Sequence, residues 1–102
     1  MYVAPADSGM MKWDDAKKAA QALQTLGKTD ARLPSKGELN QIFNNKAKIG
    51  GFNDTGSNPA GWYWSSSLDT YYPEAVRVLS FREGDQYSDS KRVDLAVRLV
   101  SS

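Results

Sequence analysis

Two stretches of the chain mix tyrosine with short polar and charged side chains: LDTYYPE at 68–74 and REGDQYSDSKR at 82–92. Tyrosine supplies rigid amphipathic contact area at low entropic cost, and Ser, Asp and Gln supply adaptable hydrogen bonds, the combination that antibody loops use for recognition. Asp69, Tyr71, Tyr72, Arg82, Asp85, Gln86, Tyr87 and Asp89 are therefore the candidate ligand-binding residues. Catalysis has much less to work with. The chain has no histidine and no cysteine. That removes the commonest general base, the commonest transition-metal ligand, thiolate nucleophiles, thiolate metal sites and disulfides. Asp14 and Asp15 are adjacent, so on a helix they point about 100° apart and do not form a paired-carboxylate site. The residues point to binding, with no catalytic residue, no cofactor and no metal.

Three further groups have a structural reading that outweighs a functional one. In Trp62-Tyr63-Trp64 the two tryptophans share one face of a strand and Tyr63 takes the other. They could stack on a sugar, but in so small a domain both Trp are expected in the core. The serines at 65–67 are expected to hydrogen-bond to loop backbone. Arg98 lies among apolar residues and is read as structural, pairing with Asp94 or Glu74 or snorkelling at a sheet edge.

The elements that must position these residues are legible from spacing. Apolar residues at Trp13, Ala16, Ala19, Ala20, Leu23 and Leu26 predict a helix over 13–26, with Asp14 and Asp15 in its first turn and Gly27 as its stop. Ser35 and Glu38 have capping-box spacing and Pro34 holds Leu33 extended, so a second helix opens there and buries Leu39, Ile42 and Phe43. Residues 50–61, GGFNDTGSNPAG, read as a long loop anchored by Phe52. Strands follow at 62–67 and 75–81, with a short polar edge strand at 86–90. A half-buried strand over 93–100 alternates Val93, Leu95, Val97 and Leu99 with Asp94, Ala96, Arg98 and Val100. The stretches 68–74 and 82–92 flank one hairpin-like pair, so they can be neighbours in space. Helices first and strands after, without βαβ alternation, predict an α+β fold with an antiparallel sheet.

A chain of 102 residues makes a single domain, 1–102, with a modest core in which three Trp, five Tyr and three Phe must carry much of the apolar burial. Thirteen basic and twelve acidic residues leave a formal charge of +1. This gives no electrostatic case for nucleic acid or an anionic membrane, and no apolar run is long enough to predict a membrane span.

Taken in order, Trp13-Asp14-Asp15-Ala16, Arg32-Leu33-Pro34-Ser35-Lys36-Gly37-Glu38-Leu39, Gly61-Trp62-Tyr63-Trp64-Ser65-Ser66-Ser67 and Ala96-Val97-Arg98-Leu99-Val100 resemble the Lcl C-terminal domain family. The resemblance implies a C-type-lectin-like fold: two helices flanking a twisted antiparallel sheet, a long loop, and termini close together. It also implies a module at the end of a longer bacterial or phage surface or fibre protein, extracellular or virion-associated. The partner would be a glycan or a protein receptor. Two alternatives accompany it, a trimeric structural or oligomerisation module capping a fibre, and a retroelement-diversified variable protein. Leu99 stands where members often carry Cys, so a family disulfide is absent. Some C-type lectins hold sugars through calcium, and Asn53, Asp54, Asn58 and Asp69 could supply oxygens. The chain has none of the Glu-Pro-Asn, Gln-Pro-Asp or Trp-Asn-Asp triplets of that chemistry, and turn formation accounts for these residues. The sulfatase-activating oxidases of related fold depend on cysteines that this chain lacks.

Overall fold

A computed structural model describes residues 2–24, 30–53 and 61–101. Helix α1 spans Trp13–Leu23 and buries Trp13, Ala16 and Ala20, with Asp14 and Asp15 in its first turn. Its expected continuation to Leu26 and stop at Gly27 lie outside the described residues. Helix α2 spans Lys36–Asn44 and starts on the expected capping box. The Glu38 N–H donates to Ser35 Oγ (3.2 Å), and the Ser35 N–H donates to Glu38 Oε1 (2.9 Å). Arg32 then clamps the same carboxylate with two bonds of 2.6 and 2.9 Å, so the residue that caps the helix also ties it to the preceding segment. Leu39 and Ile42 are buried and Phe43 half-buried. The helix breaks at Asn45 (φ −116°) and resumes for one turn as α3, Lys46–Ile49. The described residues thus hold three helices rather than the two expected.

Seven short strands follow the same local logic: β1 (Tyr2–Val3), β2 (Met10–Met11), β3 (Trp62–Leu68), β4 (Ala75–Ser80), β5 (Gln86–Ser90), β6 (Leu95–Ala96) and β7 (Val100–Ser101). The main sheet has the order β2-β6-β3-β4-β5, and β1 pairs with β7 in a separate two-stranded ribbon. That ribbon brings Tyr2 opposite Ser101. The sheet is mixed, because β6 runs parallel to β3 at Tyr63 and Ala96. The expected all-antiparallel sheet is corrected here. After β5 the chain does not turn back alongside its neighbour but crosses to the far side of β3 and enters in the same direction.

The closing segment also differs from the half-buried strand expected over 93–100. Residues 95–100 are all buried, while Val93 and Asp94 are exposed. Leu95, Val97 and Leu99 enter the cluster built on α1 with Trp13, Trp64, Val76 and Val78. Ala96 and Val100 enter a second cluster with Leu39, Ile42, Tyr63, Leu79 and Phe81. The alternation was correct, but both faces are covered. Backbone bonds outside the ladder go to the N-terminal segment: Ala4 N–H to Leu99 O, Ser8 N–H to Val97 O, and Val97 N–H to Gly9 O.

β3 divides at its serines. Trp64 faces Val78 and Leu68 faces Val76, so extra residues bulge between them. Ser65 Oγ donates to Arg77 O (2.6 Å), the Ser66 N–H donates to Pro34 O, and Ser67 Oγ accepts the Lys36 N–H. The serine run therefore meets the backbone leading into α2 through Ser66 and Ser67, but Ser65 bonds to strand β4 rather than to a loop, and the run lets a core strand turn polar. The hairpin β4–β5 closes on Gly84, whose φ is +81°. A Cβ there would lie 2.5 Å from the Phe43 ring, so both conformation and space demand glycine.

Candidate functional site

The register defines one sheet face that has two unlike ends. Residues paired across strands share a face, so Tyr63, Leu79 and Gln86 lie together, and Arg77 and Ser88 lie two residues further along the same face. One end is open to solvent. There the β3–β4 turn is pinned by Asp69: its Oδ1 accepts the Tyr71 N–H (2.8 Å) and the Tyr72 N–H (3.0 Å). Its Oδ2 accepts the Ser88 hydroxyl at 2.5 Å. The Ser88 hydroxyl, followed by the Tyr71 N–H, holds the Asp69 carboxyl below the usual carboxylate range. Arg77 Nη1 donates to Ser88 Oγ (3.0 Å), and Gln86 bridges from Arg77 Nη2 (3.4 Å) to the α2 entry at Lys36 O (3.3 Å). On the pinned turn, Tyr71 and Tyr72 are 84% and 69% exposed.

The predicted residues do not all converge. Asp69 and Gln86 meet at the open end through Arg77 and Ser88, and Tyr71 and Tyr72 project from the adjoining turn. Asp85, Tyr87 and Asp89 alternate with Gln86 and Ser88 and so take the opposite face. There Tyr87 stacks on Trp62, with ring centroids 4.8 Å apart and planes 6° from parallel. Partial desolvation, then the nearby Asp85 and Glu83 carboxylates, push its hydroxyl above the ordinary phenol range. Trp64 is fully buried, as expected, but Trp62 is only half-buried and serves as the bed for Tyr87. Arg82 is exposed in the β4–β5 turn. Sequence reasoning passed over Arg77 and Ser88. The signal was available in Arg77, which alternates with Val76 and Val78 and so faces away from their cluster.

The other end is sealed. Arg98 is entirely buried. Its Nε donates to Asp7 Oδ1 (2.7 Å), Nη1 to Ala4 O (3.0 Å) and Gly50 O (3.1 Å), and Nη2 to Gly51 O (2.6 Å). The guanidinium lies 3.9 Å from the Phe52 ring centre. Asp7 Oδ2 accepts the Tyr63 hydroxyl (2.5 Å), and the Tyr63 oxygen accepts the Asn53 N–H (2.9 Å). Burial, then the bond to Asp7, drives the Tyr63 hydroxyl far above its usual range. Arg98 is structural, as expected, but neither Asp94 nor Glu74 is its partner. Asp94 lies at the surface beside Lys12. The cation needs an acid inside the fold, and the N-terminal segment brings Asp7. Gly51 has φ +78°, and a Cβ on it would come within 3.0 Å of Arg98 Nη2, so glycine permits the carbonyl approach.

Of the residues weighed for calcium, Asn53 belongs to this sealed end, Asp69 to the open end, and Asp54 and Asn58 lie outside the described residues. Among the described residues no three acidic side chains gather in a way that could hold a metal ion.

The model of the Lcl C-terminal domain family matches residues 3–101, and the chain belongs to that family. No curated protein matches it.

Proposed function

We propose that this Lcl C-terminal domain is a non-catalytic recognition module. It has a C-type-lectin-like fold, is part of a bacterial or phage surface or fibre protein, and binds a glycan or protein receptor by direct side-chain contacts. The observation that carries the reading is the β3–β4 turn. Two adjacent tyrosines stand mostly in solvent on backbone that the Asp69 carboxylate holds in place. Exposed aromatic rings are costly to display without use, and pre-ordering them lowers the entropy lost on binding. The neighbouring Ser88, Arg77 and Gln86 add hydrogen-bonding groups of both polarities. The pairing of β1 with β7, which places the two ends of the domain side by side, supports the fold reading.

The test is a glycan array and a receptor pull-down with the intact chain, repeated with the double variant Tyr71→Ala/Tyr72→Ala. Both side chains lie outside the core, so the variant keeps the wild-type melting temperature while captured ligand falls to background. Undiminished capture by the folded variant would overturn the assignment of this turn. Tyr87→Ala, added as a third substitution, reports whether the opposite face takes part.

A further inference from the structure

A groove of about 570 Å³ opens between β1 and the helix pair α2–α3. Val3, Pro5, Ile42 and Ile49 give it an apolar lining, and Tyr2, which is 60% exposed, adds an aromatic one. Neighbouring residues of a strand face opposite ways, so a groove lined by both Tyr2 and Val3 reaches the free edge of β1. That edge offers backbone groups. Val100 spends both its N–H and its carbonyl on Arg32, at 2.9 Å each, yet it is also the partner of Val3 in the antiparallel ribbon. Val3 and Val100 are therefore a pair that exchanges no bonds, and in such a pair each residue turns its N–H and C=O away from the other. The Val3 N–H and carbonyl point away from β7, and neither has a partner among the described residues.

The charge of the groove is one-sided. Lys48 lines it, is exposed, and forms no ion pair among the described residues. The other lysine of α3 is engaged, since Lys46 Nζ donates to Phe81 O at 2.9 Å. Among the described residues no acidic side chain lines the groove. Pro5 has no N–H to offer, so the open edge stops there and suits a short segment. An unpaired strand edge answers another backbone, an aliphatic lining answers an aliphatic side chain, and a free cation answers a carboxylate.

We propose that this groove docks a short extended peptide, which adds to β1 as one more strand. The peptide backbone bonds to the N–H and carbonyl of Val3, an aliphatic side chain enters beside Ile42 and Ile49, and a glutamate or aspartate carboxylate meets Lys48. A free aliphatic acid fills the same lining and reaches the same cation, but leaves the Val3 backbone unmet. The site shares no residue with the tyrosine turn, so it stands apart from the recognition reading above.

The experiment is an amide and methyl NMR titration of the full chain with the blocked peptide acetyl-Thr-Val-Thr-Glu-Thr-amide, in which Val and Glu share one face of a strand. Three probes accompany it: the same peptide with Lys in place of Glu, a backbone N-methylated version, and sodium pentanoate. The Glu peptide should shift the Val3 amide and the Ile42 and Ile49 methyl signals, and should slow amide exchange at Val3. N-methylation should weaken binding about five- to tenfold, the loss of one net hydrogen bond. Lys48→Glu, at an exposed position, should weaken the Glu peptide about fivefold and reverse the preference in favour of the Lys peptide. No binding, equal binding of the Glu and Lys peptides, binding unaffected by N-methylation, or pentanoate matching the peptide would each overturn the proposal. So would movement of the same signals with protein concentration alone, which would place a second copy in the groove. The Tyr71→Ala/Tyr72→Ala variant should bind the peptide as the wild type does, and loss of binding there would move the peptide off this groove.

Discussion

The two ends of the Tyr63–Arg77 sheet face use the same chemistry to opposite purposes. Each has an arginine, an aspartate and a hydroxyl in contact. At the sealed end Arg98, Asp7 and Tyr63 lie in a network whose cation is entirely buried and bonded to a carboxylate and three carbonyls. At the open end Arg77, Asp69 and Ser88 are partly solvated, and the guanidinium meets its carboxylate only at 3.9 Å. What separates them is the covering. Residues 4–7 and 50–53 close over Arg98, whereas the entry of α2 only borders Arg77. A buried cation must be fully partnered or the fold pays its desolvation cost, while a partly solvated one can tolerate looser partners because water meets what they leave.

The largest effect is expected where the partnership is complete. Arg98→Met should lower unfolding free energy by about 3–5 kcal/mol, because Asp7 and several carbonyls lose their donor inside the fold. Arg77→Met should cost less, about 1 kcal/mol, because its pair with Asp69 is loose at 3.9 Å and partly solvated. Urea denaturation of both variants measures the contrast, and equal losses would break it. Tyr63→Phe comes next. It removes a donor to Asp7 and the acceptor of the Asn53 N–H, and should cost about 1–2 kcal/mol. Amide exchange at Asn53 should quicken in this variant while exchange at Tyr71 stays as in the wild type.

The open end was far more legible in the sequence than the sealed one. Tyrosines set among Asp, Ser and Gln announce a polar surface by residue type alone, and the capping box announces the α2 entry beside it. Both are local signals. The Arg98 hub joins residues from four separate stretches, at 4–7, 50–53, 63 and 98, and no local spacing links Asp7 to Arg98. Its sequence sign was an arginine amid apolar alternation, which marked it as structural but pointed to the nearer acids Asp94 and Glu74 or to a sheet edge rather than to full burial. The same limit explains the sheet. Alternation in 93–100 identified an extended segment with two distinct faces. That both faces are covered, and that the segment runs parallel to β3, depends on the N-terminal segment and α2 arriving from elsewhere.

The α2 cap adjoins the open end, where Gln86 reaches Lys36 O, and its pH response sharpens the comparison. The bidentate bond from Arg32 chiefly holds Glu38 at about 2, against an ordinary value of 4.5. The folded value is the lower one, so the contribution to stability is complete above about 4.5 and is lost as pH falls from there toward about 2. Both side chains are partly exposed, so the pair should be worth only about 1 kcal/mol. The difference in stability between wild type and Glu38→Gln, followed by denaturation across this window, should shrink as the pH falls. A constant difference would place the benefit of Glu38 in packing rather than in its charge.

The smallest effect, and the most direct probe of the open end, is at Asp69. The turn has two backbone bonds of its own, Ala75 N–H to Tyr72 O and Asp69 N–H to Ala75 O. Neither engages the N–H of Tyr71 or Tyr72, and it is the Asp69 side chain that does. Asp69→Ala should therefore leave the denaturation midpoint almost unchanged but quicken amide exchange at Tyr71 and Tyr72. Asp69→Asn retains an acceptor for those two amides, so it should protect them nearly as well. It places an amide where Ser88 met a carboxylate, so the Ser88 hydroxyl and the Arg77 guanidinium signals should still shift. Protection lost in the alanine variant and kept in the asparagine variant would show that the turn is ordered by one local acceptor, independently of the sealed end. Fast exchange in the wild type, or no change in either variant, would remove the pre-ordering on which the open end's role as a binding face depends.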